Sequence, residues 1–442
     1  MLNVTIKTLP FFFIIMKKSL FNVFVNLENE ETLLYNTYST SLIVLNNVMC
    51  SNIKDEKFEN LNSEDLATLL EMGFLIEDER DEVLDLEKIR KSEIEKVEQV
   101  VTIFSTNRCN ARCYYCFEKG INYEHMSEET ARKTVEFILQ FYPKKELSIK
   151  WFGGEPLYNF ESIRLITERL IAEGYSLKCH ITTNGSLLTQ EMLDFFKSNY
   201  SIVTFQITID DIGESYNKIK KYAEGDFEDP YRTVVNNCRM VIANKMHVSI
   251  RINHLFEKFE KAVEIHHSLQ KEFEDLDSNY YLIYLANLTL PGKRTYIKSE
   301  HDKELAVRMQ EFNRRHRPVG DIDDKYMLYK HDLLPKLKHC AATNKYNLTI
   351  TADGKIFKCH RLAQHSQYII GSVEDGVDEM APNFAFFTEY RIVDQECRQC
   401  YALPICQGAC RSLYLLEGSK LDCDLKKMLP NLIKNYYDDI VK

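Results

Sequence analysis

Three cysteines stand together in Cys109-Asn-Ala-Arg-Cys113-Tyr-Tyr-Cys116. Thiolates spaced this closely can hold three irons of a 4Fe-4S cluster, which has four irons to ligate. One iron is then left without a protein ligand and is free to bind a small molecule. The alternative is zinc, which asks for a fourth Cys or His nearby and favours paired C-x2-C knuckles. Tyr114 and Tyr115 flank the last two cysteines, giving an aromatic shield instead of a ligand. Seven more cysteines, Cys340, Cys359, Cys397, Cys400, Cys406, Cys410 and Cys423, crowd the C-terminal part of the chain. With thirteen cysteines and no secretory signal, metal ligation is favoured over disulfides. Cys50, Cys179 and Cys238 stand alone and read as small buried residues.

The elements that must position the triplet begin at residue 100. Short β-branched or aromatic runs, Val100–Thr106, Leu147–Phe152, Lys178–Asn184, Ile202–Asp210, Met246–Asn253 and Tyr280–Ala286, predict strands. Ser127–Tyr142, Phe160–Gly174, Thr189–Ser198, Tyr231–Asn244 and Lys258–Phe273 predict the helices between them. The first helix carries Ala131, Val135, Ile138, Leu139 and Tyr142 on one face, with Ser127 as N-cap. Six such steps define an α/β fold, a partial (β/α)6 TIM-like barrel with helices outside, in which functional residues collect at strand ends. Five segments follow. Residues 1–15 read as a non-native or disordered start before Met16. Residues 16–97 form a small α+β unit, winged-helix-like, with Gly73-Phe-Leu-Ile-Glu as a wing strand. Residues 98–290 are the barrel, 291–339 a helical bridge, and 340–442 a cysteine-rich domain of little periodicity, where metal ligation substitutes for a hydrophobic core.

At 442 residues and a formal net charge of −10, the chain lacks the basic face that nucleic-acid binding needs. Its densest basic run, Arg308 to Arg317, alternates with apolar residues like the wet side of a helix. The apolar run Leu9 to Met16 is too short to span a bilayer. No membrane and a cytoplasmic location are expected.

CNARCYYC resembles the CxxxCxΦC motif of the radical S-adenosylmethionine (SAM) superfamily, with Tyr115 as the aromatic. Further motifs come in that superfamily's order. Trp151-Phe-Gly153-Gly154-Glu155-Pro156 ends the second strand and resembles the GGEP motif, whose backbone holds the SAM amino group. Thr183 and Asn184 end the third strand, Gln206 and Asp210 the fourth, Arg251 and Asn253 the fifth; the resemblance implies that they contact SAM or substrate. The tail resembles Cx9-15Gx4C followed by CxxCx5CxxxC, the pattern of SPASM domains, which carry two auxiliary 4Fe-4S clusters. By that resemblance Cys397, Cys400, Cys406 and Cys423 ligate the outer cluster, and Cys340, Cys359 and Cys410 the inner one. The inner set is one ligand short, because Tyr346 stands where some relatives have a cysteine; either an iron is open to substrate or His339, His360 or His365 closes it.

The resemblance implies SAM and three 4Fe-4S clusters as cofactors, and reductive cleavage of SAM to a 5′-deoxyadenosyl radical that abstracts a substrate hydrogen. It also implies a flavodoxin- or ferredoxin-like electron donor. The substrate expected is a ribosomally made precursor peptide, crosslinked through a thioether or another side-chain bond. The runner-up is anaerobic maturation of a sulfatase to formylglycine. Those enzymes place an Asp base after the cysteine matching Cys359, where this chain has His360, the candidate proton carrier. A catalytically silent, cluster-bearing peptide binder is the third reading, opposed by the intact triplet and glycine loop.

Overall fold

The computed structural model describes residues 15–441 except 29, 95, 97, 117, 119–123, 224–226, 289–296, 317–332, 338–339, 390–391, 393, 407, 409 and 418–422. The expectation for the first fifteen residues therefore falls, Ile15 apart, outside the described residues.

The N-terminal unit contains β1 (Met16–Lys18), β2 (Asn22–Asn26), β3 (Thr32–Asn36), β4 (Leu42–Leu45), α1 (Asn47–Lys54), α2 (Ser63–Glu71), β5 (Leu75–Glu77) and α3 (Glu82–Ile94). Strands β2, β3 and β4 form an antiparallel sheet, while β1 pairs with β5, the strand read as a wing. Leu34, Leu45, Ile53, Leu69 and Phe74 close its core. Its last helix is more than a connector. Arg90 of α3 is fully buried and donates to the carbonyls of Lys336, Leu403 and Pro404, fastening the unit to the cysteine-rich tail.

The barrel follows as β6 (Val100–Thr106), α4 (Glu128–Phe141), β7 (Glu146–Gly153), α5 (Phe160–Ala172), β8 (Ser176–Thr183), α6 (Gln190–Asn199), β9 (Ile202–Thr208), α7 (Gly213–Lys220), α8 (Pro230–Ala243), β10 (His247–His254), α9 (Phe259–Glu272) and β11 (Tyr281–Asn287). The six strands are parallel, and each pairs with the next in sequence. Ser127 caps α4 by accepting from the Thr130 N–H, and the apolar face of that helix enters the core.

Along β8 and β10 burial alternates with the period of a strand. Leu177, Cys179, Ile181, Val248, Ile250 and Ile252 join the core shared with the helices. The opposite, half-buried face carries His180, Thr182, Ser249, Arg251 and Asn253, and Gln206 and Thr208 continue it on β9. The concave side of this sheet is thus polar. A closed TIM barrel fills its interior with branched apolar side chains; this one leaves a polar lining, as a ligand-holding cavity requires.

After β11 come α10 (Glu300–Arg315), β12 (Leu348–Ile350), β13 (Lys355–Phe357), β14 (Gly371–Ser372) and β15 (Gly376–Val377). The tail was expected to be irregular, yet it extends the barrel sheet. Strand β12 lies parallel to β6, pairing Leu348 with Val101 and Ile350 with Ile103, and β13 to β15 continue antiparallel. Strands of two or three residues are too short to show a period. The helix Asp424–Val441 closes the chain, burying Leu429, Leu432 and Ile433.

Candidate functional site

The cysteine triplet lies on the loop that leaves β6, and two strand ends and one helix hold that loop. From β7, the N–H groups of Gly154 and Glu155 donate to the carbonyls of Thr106 (3.1 Å) and Arg108 (2.8 Å). From β8, the Asn184 side chain donates to Asn110 Oδ1 at 2.8 Å and approaches Cys109 Sγ at 3.8 Å, while Asn110 donates to Ser186 Oγ at 2.9 Å. From α7, the Lys220 carbonyl accepts from the Arg112 N–H at 2.7 Å.

The glycines at the end of β7 are required by sterics. A Cβ on Gly153, whose φ is +119°, would sit 2.2 Å from the Thr106 carbonyl oxygen. One on Gly154 would sit 2.3 Å from that of Arg108. The neighbours are backbone, so they cannot swing aside. Both residues serve the closure of β7 on the cysteine loop, an origin more specific than close approach to a ligand.

Glu155 is fully buried and acts as a brace. Its Oε1 accepts from Thr183 Oγ1 at 2.7 Å and from the Leu157 N–H, and its Oε2 accepts from the Asn184 N–H at 2.7 Å. Burial pushes its carboxyl up to about 7, against the pull of these donors. Thr183 and Asn184 are thereby locked to the loop between Gly154 and Leu157, and Pro156 begins the short 3-10 turn that follows.

The remaining strand-end residues divide. Arg251 Nε donates to Asn253 Oδ1 at 2.8 Å, and Tyr284 OH donates to Gln206 Oε1 at 3.1 Å, all on the polar side of the sheet. Asp210 is drawn into a different group. Its carboxylate accepts from Tyr115 OH, from the Asn253 N–H at 3.2 Å and from the Lys220 ammonium at 2.9 Å. The Lys220 and Asp210 side chains are each only 2% exposed. Burial alone would pull the Lys220 ammonium down, but Asp210 and Tyr115 push it well above the ordinary lysine value. Tyr115, at the aromatic position of the motif, is thus a hydrogen-bonded clamp between the cysteine loop, the end of β9 and α7. Sequence reasoning missed α7 and Lys220, because Gly-Glu-Ser-Tyr-Asn-Lys-Ile-Lys has the composition of an exposed segment. It also missed Asn110 and Ser186; Asn110 lies inside the triplet itself, which was the available signal.

The cysteines fall into three groups. Cys109 is pushed up to about 12 by burial, with Glu155 and then the charges of Cys113 and Cys116 adding to it. Burial raises Cys340 and Cys359, the Cys410 sulfur adds to both and Cys340 adds to Cys359, and Ser412 hydrogen-bonds within that set. Cys397, Cys400, Cys406 and Cys423 form the third group, in which Cys423 hydrogen-bonds Cys406. Thiols gathered three and four together in this way are the donor sets that iron–sulfur ligation uses. The inner set abuts the barrel, since the His360 ring lies 5.0 Å from that of Phe152, next to Gly153. Burial, with Arg361 and Lys150 nearby, lowers His360 to about 4. Tyr346 packs with Phe141 and Tyr142 at the C-terminal end of α4, His365 lies against Tyr368, and residue 339 is outside the described residues.

The mouth of the sheet suits a polar ligand as well. Asn107 Oδ1, His254 Nε2 and both side-chain polar atoms of Asn287 are buried at the C-terminal ends of β6, β10 and β11, without a partner among the described residues. Glu118 Oε1 is in the same condition near the triplet. Buried polar atoms left unpaired on three strand ends fit a site whose natural occupant is polar.

Residues 103–270 match the family model described as the radical SAM superfamily. The chain carries a radical SAM domain. It is an enzyme, and its relatives are named as a synthase and as sulfatase-maturating enzymes. Over 402 residues it is 23% identical to radical SAM cyclopropyl synthase TigE of Paramaledivibacter caminithermalis, covering 81% of this chain and 80% of that protein. It is 21% identical to the cysteine-type anaerobic sulfatase-maturating enzyme of Clostridium perfringens, over 73% of this chain and 90% of the relative. Streptococcus suis SuiB, solved with bound S-adenosylmethionine, superposes with a TM-score of 0.51 at 16% identity, covering 92% of this chain and 99% of SuiB. That likeness shows the fold: a parallel central sheet in the radical SAM partial-barrel arrangement. Among the described residues, no helix is long and apolar enough to cross a membrane.

Proposed function

We propose that this enzyme matures a ribosomally made peptide, installing a thioether or other side-chain crosslink. The observation that carries the reading is the placement of the inner cysteine set. His360, the residue after Cys359, packs on Phe152 at the end of β7, beside the glycine turn that closes on the triplet loop, and in this reading a substrate side chain there would reach both cysteine sets. A substrate thiolate is a natural ligand for an iron that the protein leaves open there. TigE, by its name a cyclopropyl synthase, makes carbon–carbon ring closure the alternative bond, and SuiB has been solved bound to its precursor peptide SuiA.

In this reading Cys109, Cys113 and Cys116 hold a SAM-binding 4Fe-4S cluster, and the two tail sets hold auxiliary clusters. When bound, SAM and the first cluster would supply the radical chemistry that removes hydrogen from an unactivated carbon. The chain orients and shields. A ligand ammonium is a donor, so in this loop it would be held by carbonyl oxygens, while the N–H groups of Gly154 and Glu155 stay on Thr106 and Arg108. Asn107, Arg251, Asn253 and Asn287 offer polar groups to the rest of the ligand. Tyr115, Asp210 and Lys220 keep the cysteine loop closed over the sheet. Electrons come from a flavodoxin or ferredoxin, and the N-terminal unit holds the leader of the peptide.

Co-expression with short peptides encoded beside the gene, followed by mass spectrometry, tests the proposal. The expected result is a loss of two hydrogens per crosslink, abolished in Cys113→Ala/Cys116→Ala. Product from that double variant would overturn the radical mechanism. Formylglycine in a co-expressed sulfatase, with every peptide unmodified, would favour the runner-up, for which His360 stands in place of the Asp base.

A further inference from the structure

We propose that His266, His267 and His316 form a binding site for one divalent transition cation of the zinc class, on the outer side of the barrel between α9 and the C-terminus of α10. None of the ten cysteines above takes part. One ring nitrogen from each of the three histidines lies within 4.8 Å of the others. Ring centroids are 4.6 Å apart for His266 and His316, 5.8 Å for His266 and His267, and 6.1 Å for His267 and His316. Three imidazoles around a tetrahedral zinc, at about 2.0–2.1 Å per Zn–N bond, place their centroids about 5 Å apart. The observed spacings straddle that value, so small side-chain rotations complete the set.

The hydrogen bonds around the rings point the same way. His266 is 1% exposed, yet its Nδ1 has no partner among the described residues. His316 Nδ1 lies 2.8 Å from the Phe312 carbonyl, which fixes the tautomer and leaves Nε2 as the lone-pair donor. A ring whose far N–H is held by a carbonyl is the usual second contact of a metal-ligating histidine. Three imidazoles without a carboxylate or thiolate select zinc, nickel or copper over magnesium, calcium or iron–sulfur clusters. His267 is solvent-exposed and provides the entry path, and water takes the fourth position. Since α9 leans on β10 and β11 while α10 rests on the C-terminal helix, the ion would pin the outer wall of the barrel to the tail.

The test uses the full chain with its iron–sulfur clusters reconstituted, so that the cysteines are already occupied. Zinc chloride is added anaerobically, loose metal is removed by desalting, and zinc and iron are counted by mass spectrometry. One zinc per chain is expected for the wild type. His267→Ala and His316→Gln should bind zinc about tenfold more weakly or worse, with iron content and circular dichroism unchanged. Zinc should also raise the melting temperature of the wild type and leave that of His267→Ala where it was. The exposed position of His267 makes its variant the safe one if His316→Gln folds poorly. No retained zinc in the wild type, or equal zinc in wild type and His267→Ala, overturns the proposal.

Discussion

Replacing Lys220 by Met removes the cation from a pair in which both side chains are almost wholly buried, leaving the Asp210 carboxylate with Tyr115 and one backbone N–H. Breaking a buried pair from one side costs about 3–5 kcal/mol, mostly the penalty of an uncompensated charge. Spread over a barrel of about 190 residues, this corresponds to a melting temperature about 7–12 °C lower. Because the Lys220 carbonyl also fixes Arg112, the cysteine loop should loosen with α7, and the iron count should fall in the same variant. The assay is an anaerobic melt followed by circular dichroism, set beside Asp210→Asn and the double variant. Neutralising both partners removes the stranded charge, so the double variant should lose at least about 2 kcal/mol less than the sum of the singles. A Lys220→Met melt within about 2 °C of wild type, or strict additivity in the cycle, would refute the assignment of this pair as the clamp.

Three further outcomes are expected. Gly154→Ala places a Cβ 2.3 Å from a backbone oxygen, forcing a shift of nearly an ångström at the mouth of the site; SAM cleavage to 5′-deoxyadenosine should fall by about a hundredfold while the iron stays. His180 lies 2.8 Å from Thr204 Oγ1, and burial, then Lys150, lowers it to about 4 from 6.5. The unfolded chain therefore takes the proton first, so this contribution is complete above the unfolded value and is lost as pH falls toward the folded one. At about pH 5.5 the loss is about 1.4 kcal/mol, and His180→Gln should lose that much less between neutral pH and there, read from urea midpoints. Ile350, fully buried where β12 meets β6, should cost about 2–5 kcal/mol as Ala and destabilise barrel and tail together, seen as one shifted transition.

Much of the site could be read from the chain because its chemistry depends on residue type and local spacing. Cys109, Cys113 and Cys116 sit within eight residues, the tail cysteines keep their own intervals, and strands β6 to β11 announce themselves by short β-branched runs. The strand limits read from sequence fall within two residues of those observed, the largest differences being at β8, which starts two residues earlier at Ser176, and at β9, which stops at Thr208 before Asp210. What could not be read involves partners distant in sequence or runs too short to show a period. Strand β12 is three residues long, and only its pairing with β6 makes it part of the barrel sheet.

The sequence by itself determined which thiols are spaced closely enough to share a metal, that a glycine-rich turn follows the second strand, and that a parallel βα series presents both. Only the tertiary structure decided what those residues do to one another. It turned Glu155 into a brace for Thr183 and Asn184, and gave Asp210 to Tyr115 and Lys220. It also buried Arg90 against the tail and brought His316 to His266 and His267. The physical reason is that burying a charge or a polar ring demands a partner. Which partner is available is set by how the elements pack, a relation that no local stretch of the chain contains.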